Sequence, residues 1–234
     1  MLTDDLLELQ RLDTLADQLG YRRAHLPERA AAKAAAAALA EHRSKRAAAV
    51  ERSEELELAI DALERDGEQL GAQRTRLEAQ LKTVIAPREA EALMHELATV
   101  AERRNGLDDQ ELEYLEEQSE LADVIVALDA ALPAAEEGAN AAAATLRVAE
   151  AETDGELEAV RAPRAELAAR LDAGALERYE RLRTRFAGVA VARLDGTRCT
   201  GCNLDLSTAE VNDVRSVAAG EFADCPNCGR LLVA

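Results

Sequence analysis

Apolar residues recur in alternating steps of four and three through Leu56, Ile60, Leu63, Leu70, Leu77, Leu81 and Val84, with Gly67 and Arg74 at the seam positions that lack one. A heptad repeat of this kind demands a long helix whose narrow apolar stripe is covered by another helix. A second run obeys the same rule through Leu93, Leu97, Val100, Leu107, Tyr114, Leu121, Ile125, Leu128 and Leu132, interrupted at Arg104, Glu111 and Gln118. Between the runs stands Pro87, unsuited to a helix interior but suited to the first turn of a new helix, with Glu89 and Glu91 favourable beside the positive helix end. The two runs therefore predict an antiparallel helical hairpin with its tip near residue 87.

A tip at that point sets a register. The stretch Ala30 to Ala40 should face residues 134 to 144, which are equally rich in alanine, so the backbones can approach closely in both arms at one level. Charge follows the same register. Residues 21 to 50 carry Arg22, Arg23, Arg29, Lys33, Arg43, Lys45 and Arg46 against two acids, while residues 124 to 153 carry five acids against Arg147. Pairing across the coil thus accounts for the one basic segment at least as well as a nucleic-acid patch does. The second arm is the longer, leaving Gly174 to Arg185 as an overhang that leads to the C-terminal segment. Pro27, Pro133 and Pro163, with Gly67, Gly71 and Gly138, predict bends rather than domain boundaries.

The remaining composition agrees with long solvated helices. Of 234 residues, 51 are alanine, none is tryptophan and five are Phe or Tyr, so a thick globular core is ruled out. No segment is long and apolar enough for a transmembrane helix, and the acidic, amphipathic N-terminus does not read as a signal peptide, which predicts a cytoplasmic protein. A net charge of −18 disfavours binding driven by counterion release from nucleic acid. His25, His42 and His95 stand apart, and no phosphate loop or nucleophile elbow is present, so no catalytic site is predicted.

Chemistry concentrates at the C-terminus. Cys199 and Cys202 form one Cys-x-x-Cys pair and Cys225 and Cys228 another, 22 residues apart. Two such knuckles can place four thiolates tetrahedrally around one zinc ion at about 2.3 Å. Gly201, Pro226 and Gly229 supply residues suited to tight backbone turns around a metal. A disulfide framework needs an oxidising compartment, a dithiol redox site needs a thioredoxin-like unit, and a catalytic zinc needs an open coordination position. One structural zinc held by Cys199, Cys202, Cys225 and Cys228 is the reading adopted.

Around the knuckles, Val189 to Leu194 reads as a strand ended by the turn Asp195-Gly196, and Ser207 with Glu210 reads as the cap of a short helix containing Val211, Val214 and Val217, ended by Gly220. Residues 221 to 224 and 230 to 233 read as short strands, in a core that zinc must largely hold together. The fold class is mainly α: a long antiparallel coiled-coil helical hairpin over residues 1–186, then a small β zinc ribbon over residues 187–234. The motifs Cys199-Thr-Gly-Cys202 and Cys225-Pro-Asn-Cys228-Gly229-Arg230-Leu231-Leu232-Val233, with Arg88-Glu89-Ala90-Glu91-Ala92-Leu93 leading into Leu107-Asp108-Asp109-Gln110-Glu111-Leu112, resemble the bacterial C4-type zinc-ribbon family with an N-terminal coiled-coil hairpin. The resemblance spans essentially the whole chain and implies a non-enzymatic cytoplasmic adaptor with one structural zinc, with nucleic-acid or transcription-related partners proposed for the family.

Two functions compete. The first is a protein-protein adaptor, favoured by the acidic balance, which persists in residues 193 to 234 with four Arg against six Asp or Glu. The second is a nucleic-acid-binding regulator that would use Arg193, Arg198, Arg215 and Arg230 with the basic strip of the first arm. Zinc release on thiol oxidation is compatible with either. Interrupted seams at Arg74 and Arg104 leave the oligomeric state open.

Overall fold

The structure is a computed structural model that describes residues 2–217 and 222–233. Its elements are α1 (Leu2–Ala24), α2 (Pro27–Thr83), α3 (Pro87–Arg170), α4 (Ala173–Arg185), β1 (Val191–Asp195), β2 (Arg198–Cys199), α5 (Thr208–Ser216), β3 (Ala223–Asp224) and β4 (Leu231–Val233). Helices α2 and α3, of 57 and 84 residues, form the long helical hairpin. Proline sets both of their starts. Pro27 and Pro87 each occupy the first helical position, where no N–H is needed, while the restricted residue before each proline stays outside the helix. The expected bend at Pro27 is therefore a full break after Ala24, whereas Pro133 and Pro163 lie within α3 without ending it.

The overhang is also corrected. Asp172 caps a separate helix, its carboxylate accepting from the Gly174 and Ala175 N–H groups at 2.9 and 3.1 Å, so α3 stops and α4 begins anew. Helix α4 does not extend past the base of the coil; it buries Tyr179 and Leu182 against α1 and α3.

The chain divides into two compact units, one of residues Ala31–Ala143 and one of Met1–Ala30 with Ala144–Ala234. In the first, Leu56, Ile60, Gly67, Leu77 and Val100 are buried along the seam read from the sequence. Two seam interruptions prove to be partners: the Arg104 guanidinium lies where a Cβ on Gly67 would stand and also pairs with Asp108 at 2.7 Å. Arg74 pairs with Glu78 on its own helix. Across the coil Arg43 pairs with Glu136 at 2.6 Å, Arg52 with Glu117 at 2.8 Å and Arg46 with Asp129, while His42 Nε2 donates to the Leu128 carbonyl at 2.7 Å.

In the second unit Arg29 pairs with Glu150 at 2.5 Å, Arg23 with Asp154 at 2.5 Å and Arg22 with Glu156. Five of the seven residues of the basic strip are thus matched to acids of the opposite arm, and Lys45 pairs with Glu41 along its own helix. Within the first unit the Arg43–Glu136, Arg46–Asp129 and Arg52–Glu117 pairs fall on either side of the register expected from a tip near residue 87.

The same unit holds the ribbon. Its four strands lie in the order β2-β1-β4-β3, with β1 antiparallel to β2, parallel to β4, and β4 antiparallel to β3. Alternation along β1 and β4 gives the sheet two apolar faces. Val191, Leu231 and Val233 join Leu6, Leu9 and Leu12 of α1, Leu167 of α3 and Tyr179 of α4 in one core. Ala192 and Leu232 face the other way, toward Cys199, Cys225 and the α5 residues Val211 and Val214. The ribbon is therefore held from one side by the helices as well as by its cysteines. The strand run begins at Val191 rather than Val189, and the expected helix end at Gly220 and strand start at Glu221 fall outside the described residues.

Polar groups fix this docking. The Gln10 side chain accepts from the Val191 N–H at 2.7 Å and donates to the Val191 carbonyl at 2.9 Å, so a helix side chain satisfies both backbone groups of a strand residue. Asp13, 5% exposed, accepts from the Tyr179 hydroxyl at 2.8 Å and from Arg164 Nε at 3.0 Å, joining α1, α3 and α4. Burial, together with the Asp13 charge, raises the Tyr179 phenol above its ordinary range.

Two outcomes are expected. Gln10→Glu removes the donor to the Val191 carbonyl and places a carboxylate beside it, so stability should fall by about 1–3 kcal/mol in urea unfolding, more than for an exposed glutamine such as Gln73. Hydrogen bonds from Arg23, Arg46 and Arg52 hold the carboxyls of Asp154, Asp129 and Glu117 below their ordinary values. A folded-state value depressed in this way contributes stability above the unfolded value and loses it as pH falls further. Thermal melting followed by circular dichroism should therefore be flat near neutrality and drop below about pH 4.

Candidate metal centre

The two knuckles are built alike. In the first, the Asn203 N–H donates to the Cys199 carbonyl at 2.8 Å and the Cys199 N–H to the Leu204 carbonyl at 3.0 Å. In the second, the Gly229 N–H donates to the Cys225 carbonyl at 2.8 Å and the Cys225 N–H to the Arg230 carbonyl at 2.9 Å. Closing such a loop takes a left-handed residue directly after the second cysteine, and Asn203 (φ 59°) and Gly229 (φ 75°) both adopt it. Glycine and asparagine are the residues that tolerate this conformation best. Their equivalence could have been read from their shared place after each Cys-x-x-Cys.

Gly201 has a different reason to lack a side chain. A Cβ there would stand 2.7 Å from Arg230 Cδ and 2.9 Å from Ala192 Cβ, so the position is set by close packing of the Arg230 stem and β1 rather than by backbone freedom. The guanidinium beyond that stem lies 4.3 Å above the Phe186 ring, and its Nε donates to the Val189 carbonyl at 2.9 Å. Arg230 thus joins the first knuckle to the segment entering the ribbon. Arg198 lies 3.6 Å from Asp205, Arg215 Nη2 donates to the Gly196 carbonyl at 3.4 Å, and Arg193 is exposed on β1.

The fold brings Cys199, Cys202, Cys225 and Cys228 together, with all four sulfurs within 4.8 Å of one another. The Cys202 and Cys225 sulfurs are 3.9 Å apart, close to the edge of about 3.8 Å that a tetrahedron of sulfurs about 2.3 Å from zinc would have. Cys199 and Cys225 are buried and the other two half-buried. Burial pushes the Cys225 thiol up to about 12 and raises that of Cys202. Burial opposes ionisation of Cys228 as well, but hydrogen bonding from Arg230, first through its backbone, brings that thiol down to about 7. Cys228 is therefore ready to meet a metal, whereas Cys202 and Cys225 must give up protons to it. Four sulfur donors with no open position fit one structural zinc.

A helical hairpin ending in a four-cysteine ribbon defines the class. The chain matches the C4-type zinc ribbon domain over residues 198–232 and the CT398-like coiled coil hairpin domain over residues 9–187. It belongs to the CT398-like family of coiled-coil hairpin proteins carrying a C4 zinc ribbon. The uncharacterized protein Rv2229c of Mycobacterium tuberculosis is 31% identical over 236 residues, covering 97% of this chain and 93% of its own. The structure of CT398 from Chlamydia trachomatis has a TM-score of 0.81 at 22% identity, covering 98% of this chain and 97% of its own. A Mycobacterium smegmatis structure has a TM-score of 0.71 at 21% identity, covering 99% of this chain and 97% of its own. The likeness to these two structures is one of fold.

Gly229→Ala should weaken zinc retention in a chelator competition by about tenfold, matching a left-handed penalty of about 1–2 kcal/mol. Asn203→Gly should leave retention unchanged within about twofold, and Cys228→Ser should abolish the stoichiometric metal measured by elemental analysis.

Proposed function

We propose that this protein is a cytoplasmic, non-enzymatic adaptor whose coiled-coil hairpin (residues 1–186) and zinc ribbon (residues 187–234) each engage a protein partner. The observation that carries the reading is the engagement of the basic strip: Arg22, Arg23, Arg29, Arg43 and Arg46 are matched to acids of the opposite arm. A nucleic-acid patch on the first arm would need those cations without acids beside them. What remains for solvent is the surface of a chain of net charge −18, which repels phosphate and attracts basic protein surface.

The closed cysteine quartet supports a ribbon used for shape rather than for chemistry. No described helix is long and apolar enough to cross a membrane. Apolar side chains lie outward on the ribbon, Val189 where it begins and Leu204 just after the first knuckle. They are contacts the ribbon can offer without moving its core. The nucleic-acid reading would use Arg193, Arg198, Arg215 and Arg230, the last of which is already stacked on Phe186.

Affinity capture with the full chain, on nuclease-treated and untreated halves of one lysate, tests this reading. A partner set that survives nuclease and moderate salt, and shrinks in Leu204→Asp, is the expected result. Loss of all partners on nuclease treatment would replace it with the nucleic-acid reading.

A further inference from the structure

Besides the seam it turns toward α2, helix α3 carries a second apolar stripe. Leu112, Leu115, Ser119, Ala122 and Val126 each directly follow a seam position, recur in steps of three and four, and are exposed. Leu112, Leu115 and Val126 are 59%, 43% and 68% exposed. About four turns of solvated helix do not need three large apolar side chains in one row, whereas a docked helix does.

The borders of the stripe say what would cover it. From residue 105 to residue 146 the chain has no Lys or Arg, while Asp and Glu recur from Asp108 to Glu137. Asp109, Glu116 and Asp123, seven residues apart and exposed, run along the outer border, and none has an ion pair among the described residues. The inner border belongs to α2. Arg43 and Glu136, each directly after a seam position, pair with each other, so positions directly after the seam on the two helices share one side of the hairpin. Glu54, Glu57 and Asp61 occupy such positions, and the Arg52–Glu117 pair sets them alongside Leu115 and Leu112. Along Leu112 and Leu115 the stripe is thus bordered by acids on both edges, and beside Val126 by Asp123 on the outer edge.

We propose that the side of the hairpin bearing Leu112, Leu115 and Val126 docks an amphipathic helix of a protein partner, with Lys or Arg flanking its apolar seam. Such a helix completes a three-helix coil, its apolar residues covering the stripe and its cations meeting both acidic borders. A second copy of this face would set acid against acid. The first-arm cations that could have served as an internal substitute are matched across the coil. The proposal rests on the adaptor reading and names the partner chemistry of its coil.

The test uses the full chain and a fluorescent synthetic peptide about four heptads long, with a Leu/Ile seam and Lys at the flanking positions. Control peptides carry Glu at the flanks, or the Lys sequence scrambled. The Lys-flanked peptide should bind at least about tenfold more tightly than either control. Binding should fall by about tenfold in Leu115→Glu/Val126→Glu and in Glu116→Lys/Asp123→Lys, the second changing only exposed acids so that folding is preserved. Val124→Ser, on the side of α3 that carries Glu117, should change nothing. Equal binding of the scrambled peptide, unchanged binding in both double variants, or no binding of the Lys-flanked peptide overturns the proposal. So does a dimer in sedimentation that Leu115→Glu/Val126→Glu dissolves. Partners sensitive to Leu204→Asp should still be captured by these variants, so failure here leaves the ribbon half of the adaptor reading standing.

Discussion

The sheet of the ribbon is sandwiched, and the rest of the molecule's C-terminal chemistry depends on it. Strands β1 and β4 send Val191, Leu231 and Val233 into the helical core and Ala192 and Leu232 toward the cysteines. Burying each large side chain contributes about 1.5–3 kcal/mol, enough to hold the strands against the helices but not to close the far face, which is small. Structural zinc contributes about 10–16 kcal/mol in zinc-finger peptides and so dominates that far face. The helices fix one side of the sheet and the metal fixes the other. The knuckles therefore sit on a platform that does not need the metal to find its place.

Polar contacts decide how the platform is aimed. Burying Val191 would leave its backbone groups without water, and Gln10 supplies both missing partners. Asp13 gathers Tyr179 and Arg164, and Arg183 lies 3.6 Å away, so a buried charge is paid for by a hydroxyl and neighbouring guanidiniums from two other helices. Neither contact adds much net stability. Each penalises a rotated ribbon, because any other docking strands a buried donor or acceptor.

In the coil, charge does similar work. Exposed ion pairs stabilise little, yet six of them from Arg22 to Arg52 are matched to acids of the other arm, which selects one register among those an alanine-rich seam would tolerate. Gly67 opposite Arg104 shows the same logic inside the seam, where a missing side chain receives a long one. What looked like one defect in each seam is a single complementary contact.

Much of this was legible in the chain. Heptad spacing, Pro87 and the cysteine quartet determined a helical hairpin followed by a zinc ribbon, because helix period, proline's missing N–H and thiolate coordination are local properties. Complementary charge along the arms was legible too, since an antiparallel pair maps sequence directly onto contact. The separate helix α4, the sharing of Arg104 with Gly67, the packing reason for Gly201 and the docking of β1 on Gln10 were not, because each joins residues whose separation carries no periodic signal. Asp172 could have announced α4 as a cap; nothing before the fold could place Tyr179 beside Asp13, or Arg230 over Phe186. The sequence alone determined which elements form and which atoms meet the metal. Only the tertiary structure decided how the ribbon is seated, since that depends on satisfying buried polar groups in three dimensions.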